Sequence, residues 1–298
     1  WPAVREHLLS SLGLRTVKVL RGVMDSALRD GELHLVKLPA GTSVQAAMQA
    51  LKGKDIVRFA EPNWLQRLDT APNDPYYTSG DLWGYYGDTS PVQTNPYGSQ
   101  AGEAYNAGKQ CNGSVIVGII DEGVMPTHPD TQANIWVNPF EIANNGIDDD
   151  GNGYVDDVNG WDFLNDDKTP FDGVKDDHAT HVSGTIGAVA GNGIGIAGIC
   201  DDVKMISAKF LDGSGSTADA IAAIDYITDL KLRHGLNIVA TNNSWGGGKF
   251  SQALKDAIDR AGAADILFVA AAGNGNLIGI GQNNDKKPHY PSAYTSNN

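Results

Sequence analysis

The chain has 298 residues, 41% of them apolar, and a formal charge of −14. That length supports one large domain or two unequal ones around a buried core. So acidic a surface repels nucleic acid and anionic membrane, no basic-aromatic tract offsets it, and no run of about 18 apolar residues is present to span a bilayer. Cations are the guests it favours.

Taken from the first residue, Trp1, the sequence has no charged-then-apolar leader, so localisation is read only indirectly. Residues 1–70 read as a small α+β module. Alternation over Glu32–Leu38 predicts a strand, and Pro39-Ala40-Gly41 a turn. Thr42 or Ser43 then caps a helix with Val44, Ala47, Met48 and Leu51 on one face. Asp55–Ala60 predicts a second strand, closed by Glu61-Pro62-Asn63. The Pro-, Gly- and Tyr-rich stretch from Asp69 to Tyr97 reads as a linker leading into a second domain, 71–298.

From Ser114 onward apolar runs alternate with helical spacing. Val115–Ile120, Val203–Phe210, Leu236–Thr241 and Ile266–Ala271 read as buried strands, with helices over Ala218–Leu232 and Ala253–Ala264. This is the pattern of a parallel βαβ sheet, whose sites lie at the carboxyl ends of the strands. The two cysteines, Cys111 and Cys200, each precede such a run and fall at one edge of the sheet, either as a disulfide or as two partly buried thiols.

Two strand-end motifs carry chemistry. In Val117-Gly118-Ile119-Ile120-Asp121 an acid follows a buried strand, where it can orient a base or simply cap a turn. In Asp177-His178-Ala179-Thr180-His181-Val182-Ser183-Gly184-Thr185 a polar cluster enters a helix. His-x-x-His fits a general base or half a metal site, and the lack of a Glu after the first His disfavours a zinc peptidase.

Together these blocks resemble the Asp and His motifs of the subtilisin-like serine peptidases, and Phe268–Gly275 resembles the segment whose Asn binds the oxyanion. The resemblance implies a subtilisin-like α/β fold, a parallel sheet with helices on both faces, preceded by a small α+β inhibitory propeptide. It implies an acyl transfer in which His178 is the general base, Asp121 orients it and Asn274 stabilises the oxyanion. Two segments look like the family's substrate-flanking edges: Leu211, Gly213 and Ser214 in one, and Ser244, Trp245 and Gly246 in the other. Ala271, Ala272 and Gly273 look like the lining of the S1 side, where small residues favour a sizeable apolar side chain. A polypeptide substrate is then added as a strand. Two positions depart from the family pattern: Ala179 replaces the usual Gly and Glu122 the usual Thr or Ser. The extra methyl of Ala179 is either neutral or tilts His178.

The family's serine follows the Asn block in a Gly-Thr-Ser-Met-Ala-like string, and none follows Asn274 here. The similar Gly41-Thr42-Ser43-Val44 lies far ahead of Asp121 and reads as the helix cap. The nucleophile is expected on a separate C-terminal polypeptide, and the 298 residues alone are expected to be inactive. The alternative is a catalytically dead subtilase fold used for binding.

Between the Asp and His motifs, Asp148, Asp150 and Asn152, with Gly153 at the turn and the Tyr154 carbonyl, match the first half of an EF-hand-type loop. The twelfth position is Asn159 rather than Glu, so Asp156 or Asp157 must complete a Ca2+ shell; the alternative is a solvated acidic loop. Inserts of this kind bind calcium in bacterial members of the family, and Asn192 marks a second expected site. A calcium-binding adhesion module would explain the loop but not the Asp121, His178 and Asn274 blocks. The propeptide-like module, the calcium loop and the paired cysteines point to a zymogen that is secreted or held at the cell surface or in the periplasm, matured by cleavage between Asn63 and Asp74.

Overall fold

Two units divide the chain, residues 1–68 and 69–298, in a computed structural model that describes residues 2–21, 32–63, 72–109, 111–275 and 280–296. In the first, α1 (Pro2–Ser11) leads to β1 (Arg15–Arg21), which pairs antiparallel with β2 (Leu33–Lys37) before α2 (Val44–Leu51). Ser43 caps α2 by accepting the Ala46 N–H at 3.0 Å, and Ala47 and Leu51 close a small core on Leu9 and Leu14. The strand expected over Asp55–Ala60 does not form. Val57 and Ala60 pack against that core, but the Val57 N–H closes a turn on the Lys54 carbonyl at 2.8 Å. Ile56, Val57 and Ala60 are only half-buried and Phe59 is 51% exposed, and among the described residues the run joins no sheet edge.

The second unit takes in the stretch expected as a linker and domain start, 69–97. Residues 69–71 of it lie outside the described residues, and from 72 to 97 it is packed structure. It contains α3 (Pro75–Thr78), and Tyr77 and Tyr86 are buried beside Ala197. The aromatic residues that mark the stretch as turn-rich also give it a core. After α4 (Ala101–Asn106) come β3 (Ile116–Asp121), β4 (Gly160–Asp162), α5 (Asp177–Gly187) and β5 (Lys204–Lys209). A short hairpin follows, β6 (Leu211–Asp212) with β7 (Ser214–Gly215), then α6 (Thr217–His234), β8 (Ile238–Asn243), α7 (Gln252–Ala263) and β9 (Leu267–Ala270).

The five longer strands of this second unit form one parallel sheet in the order β4-β5-β3-β8-β9. Side chains alternate across it. Ile116 and Ile120 join the core under α6 and α7, while Ile119 turns to the opposite face with Ala179 of α5, Val203 and Met205. Helices therefore cover both faces, which is why the strands read as nearly continuous apolar runs. Both long helices are capped: Ser216 accepts the Asp219 N–H at 3.1 Å, Ser251 accepts that of Leu254 at 3.3 Å, and Gly235 ends α6 at φ 64°. Cys111 and Cys200, which lead into the neighbouring strands β3 and β5, are joined as a disulfide with Cα atoms 5.3 Å apart.

Candidate active site

The sheet delivers its polar groups to one edge. Asp121 ends the central strand β3 and is only 1% exposed, and His178 stands in the first turn of α5 with its side chain half exposed. The His178 Nδ1–H donates to Asp121 Oδ1 at 2.8 Å, and the Glu122 N–H donates to the same oxygen at 2.8 Å. This bond fixes the tautomer and leaves Nε2 as the basic nitrogen. The carboxylate of Asp121 holds the imidazole above its ordinary range, with Glu122 and Asp177 adding smaller pulls in the same direction. Burial pushes the Asp121 carboxyl up, against the hydrogen bonds from His178 and Glu122.

Cross-ties fix the two elements that carry this pair. Thr180 Oγ1 donates to the Asp176 carbonyl at 3.1 Å and accepts the Met125 N–H at 3.1 Å, so α5 holds the loop after β3. Ser207 Oγ of β5 accepts the Val124 N–H at 3.1 Å. Ala179 is fully buried against the Ile119 face of the sheet, so the methyl that replaces the usual hydrogen fills core space. A cleft of roughly 680 Å³ opens beside His178, walled in part by Met125, Phe171, Val174, His181 and Ile196.

The expected substrate edges lie at the same carboxyl ends. Leu211, Gly213 and Ser214 form the β6–β7 hairpin, whose tip donates the Gly213 N–H to Glu122 Oε1 at 3.4 Å. The second Glu122 oxygen is buried without a hydrogen-bond partner among the described residues. On the other side Ser244, Trp245 and Gly246 continue β8, and the Trp245 ring packs on Phe210 with centroids 4.8 Å apart. Ala271, Ala272 and Gly273 continue β9, where the Ala271 N–H donates to the Asn243 carbonyl at 3.0 Å. A methyl on Gly246 would come within 2.2 Å of the His289 ring, and one on Gly273 within 3.2 Å, so His289 fills the space between the two segments. Asn274 is exposed one residue further on.

The acidic loop brings together only part of the set expected for it. Glu141, Asp150 and Asp157 place carboxylate oxygens within 4.8 Å of one another. The amides of Asn138 and Asn152 lie between Asp150 and Asp157, at 2.9–3.2 Å from their oxygens. Asp148 instead accepts the N–H groups of Gly151, Asn152 and Gly153, and Asp156 points away to Lys168 at 2.8 Å. The Tyr154 ring packs on Trp161, Phe163 and Tyr226. Near Asn192 the fold gathers two further acids: Asp74 accepts the Gly191 and Asn192 N–H groups, and Asp130 Oδ1 accepts the Asn192 amide at 2.8 Å.

A model of the subtilase family matches residues 112–297, and one of the fervidolysin N-terminal prodomain matches residues 4–63. The thermophilic serine proteinase of Bacillus sp. (strain AK1) is 30% identical over 234 residues, which cover 78% of this chain and 48% of that protein. Thermitase of Thermoactinomyces vulgaris is 31% identical over 229 residues, 76% of this chain and 63% of that protein. The chain thus spans less than two-thirds of either relative. Among solved structures, fervidolysin from Fervidobacterium pennivorans, described as a keratinolytic enzyme related to subtilisin, gives a TM-score of 0.48 at 20% identity over 99% of this chain and 40% of that one.

Proposed function

The chain belongs to the subtilase family, and on that premise we propose that it is the part of a calcium-stabilised serine endopeptidase zymogen that carries the acid, the base and the oxyanion donor. The observation that carries the proposal is the 2.8 Å bond from His178 Nδ1 to Asp121, made by a buried acid to a half-exposed base at the carboxyl edge of the sheet. In this reading His178 Nε2 takes the proton of an attacking serine and returns it to the leaving amine, while Asp121 holds the ring and stabilises the imidazolium. Asn274 donates its side-chain N–H to the oxyanion, and the substrate backbone adds as a strand between the Leu211–Ser214 and Ser244–Gly246 segments.

The serine comes from a segment outside these 298 residues, because no Gly-Thr-Ser-Met-Ala-like string follows Asn274. An uncovered patch supports this. Phe268 is buried under α6 and α7, yet Leu267 and Val269, which face the α5 side, remain 49% and 47% exposed. A helix seated there would cover apolar surface of the kind a parallel sheet keeps dry on both sides, and would bring its own residues to the edge that holds His178.

Calcium fits the acidic loop in donor type. Glu141, Asp150 and Asp157 offer hard oxygens, and turning the Asn138 and Asn152 amides end for end would present two more. Asp74, Asp130 and Asn192 are the residues for a second ion. The ions would stabilise the fold and take no part in the proton transfers. The first unit, matched as a prodomain, would act in cis as inhibitor, and the Cys111–Cys200 bond suits an oxidising, extracellular compartment. No helix among the described residues is long and apolar enough to cross a membrane.

The test is intact mass spectrometry of the purified protein after a fluorophosphonate probe, with calcium and with chelator. Labelling of a copurifying segment, lost on chelation, is expected. A folded protein with no label on any polypeptide would refute the endopeptidase and leave a binding protein on the same fold.

A further inference from the structure

Lys209 is the last residue of β5 and its side chain is fully buried. In the sheet it lies directly beside Asp121 on β3 and Asp162 on β4. Its ammonium turns from both strand neighbours to meet Asp176 Oδ1 at 2.6 Å and Asp172 Oδ2 at 3.3 Å. Asp176 is itself 1% exposed and immediately precedes α5, two residues ahead of His178. An acid at that place ordinarily caps the helix by accepting an N–H from its first turn. Asp176 makes no such bond, and its other oxygen takes the Asp172 N–H at 2.6 Å. The residue thus gives up the helix cap in exchange for the lysine.

The loop that brings the chain to α5 is moulded on the same side chain. At Gly123, just past Asp121, a methyl would strike the Pro170 carbonyl oxygen at 2.2 Å and the Lys209 Cδ at 3.2 Å. Burying an ammonium and a carboxylate together is a poor way to gain stability, since apolar side chains of similar volume generally serve as well or better. What the pair does supply is a fixed distance between the strand ends that hold the acid and the helix start that holds the base.

We propose that Lys209 is a positioning residue for the catalytic base: its ion pair with Asp176 sets where α5 begins, and so holds His178 in hydrogen-bonding register with Asp121. The proposal rests on the reading of His178 as the base, and it is the Asp121–His178 geometry, not the rate, that tests it first.

The experiment compares Lys209→Met and the double variant Lys209→Met/Asp176→Asn with wild type, in the protein as isolated with its nucleophile-bearing segment. Three quantities are read: the thermal midpoint, the low-field NMR signal of the His178 Nδ1–H, and kcat and KM on a peptide substrate. Lys209→Met is expected to lose the low-field signal and about 100-fold in kcat at unchanged KM, the scale of an ångström of misplacement. The double variant removes both charges of the 2.6 Å pair and leaves Asp162 held by the Leu164 and Asn165 N–H groups, so most of its midpoint should recover while the signal and kcat stay low. A purely structural lysine predicts recovery of all three. That result, or a Lys209→Met protein that keeps its signal and kcat, would overturn the proposal, and if the single variant fails to fold the double decides. An inactive wild type would sink the endopeptidase reading alone, because the Nδ1–H signal needs no turnover.

Discussion

Removing the Cys111–Cys200 bond by a double substitution to alanine is expected to destabilise the second unit through its unfolded state. The bond spans 89 positions of sequence, and restoring that chain's freedom costs about 4–5 kcal/mol in the loop-entropy description. The native sheet should barely register the change, since β3 and β5 stay joined through six residue pairs from Ile116–Lys204 to Asp121–Lys209. Urea unfolding followed by tryptophan fluorescence, with calcium held constant, reads the difference. The variant should unfold at lower urea with a steeper dependence, because an uncrosslinked chain exposes more surface. A loss below about 1 kcal/mol, or a variant that no longer gives the His178 Nδ1–H signal, would show that the entropy argument misplaces the effect.

Three further outcomes concern the site. Asp121→Asn should keep the fold but lower kcat by about 10⁴-fold, because an amide no longer selects the tautomer that leaves Nε2 basic; steady-state kinetics on a peptide reads it. Glu122→Thr removes one of the charges that hold His178 up. Since the neutral ring is the base, the acid limb of the kcat/KM profile should move to lower pH, and an unmoved limb would mean that Glu122 does not act on the ring. Chelation should lower the thermal midpoint by about 5–10 °C if calcium is present at about 100 times its dissociation constant. Glu141→Gln should remove most of that calcium dependence, whereas Asp148→Asn, whose oxygens serve backbone N–H groups, should retain it.

The parts legible in the sequence were those encoded by contiguous residues. Four strands appeared as apolar runs, β3 and β5 because both faces are covered and β8 and β9 although one face is partly exposed, and Asp121 and His178 appeared because each motif is local to one strand end or one helix start. What depended on the chain returning to itself did not appear. Glu141 lies seven positions ahead of Asp148, outside any twelve-residue loop template, and joins Asp150 and Asp157 only in the fold. Asp74 and Asp130 reach Asn192 from far upstream, with no spacing to announce them. Strand β4 has three residues, too few to show a period. Lys209 left a faint signal, a charge at the end of the apolar run Val203–Phe210, where a solvated strand end is the ordinary explanation. His289 left none, because its role comes from filling the gap between Gly246 and Gly273.

Strand β9 stands last in the sheet, and its four residues, Leu-Phe-Val-Ala, carry no charge. Its outer row of peptide groups and its half-bare apolar face together make a template that another copy of the same sequence can join. These 298 residues, produced by themselves, are therefore expected to associate as concentration rises, and any helix that settles over Leu267 and Val269 competes with that association. Solubility would then report assembly, and keeping the protein dispersed would become a way to select the segment that belongs on it.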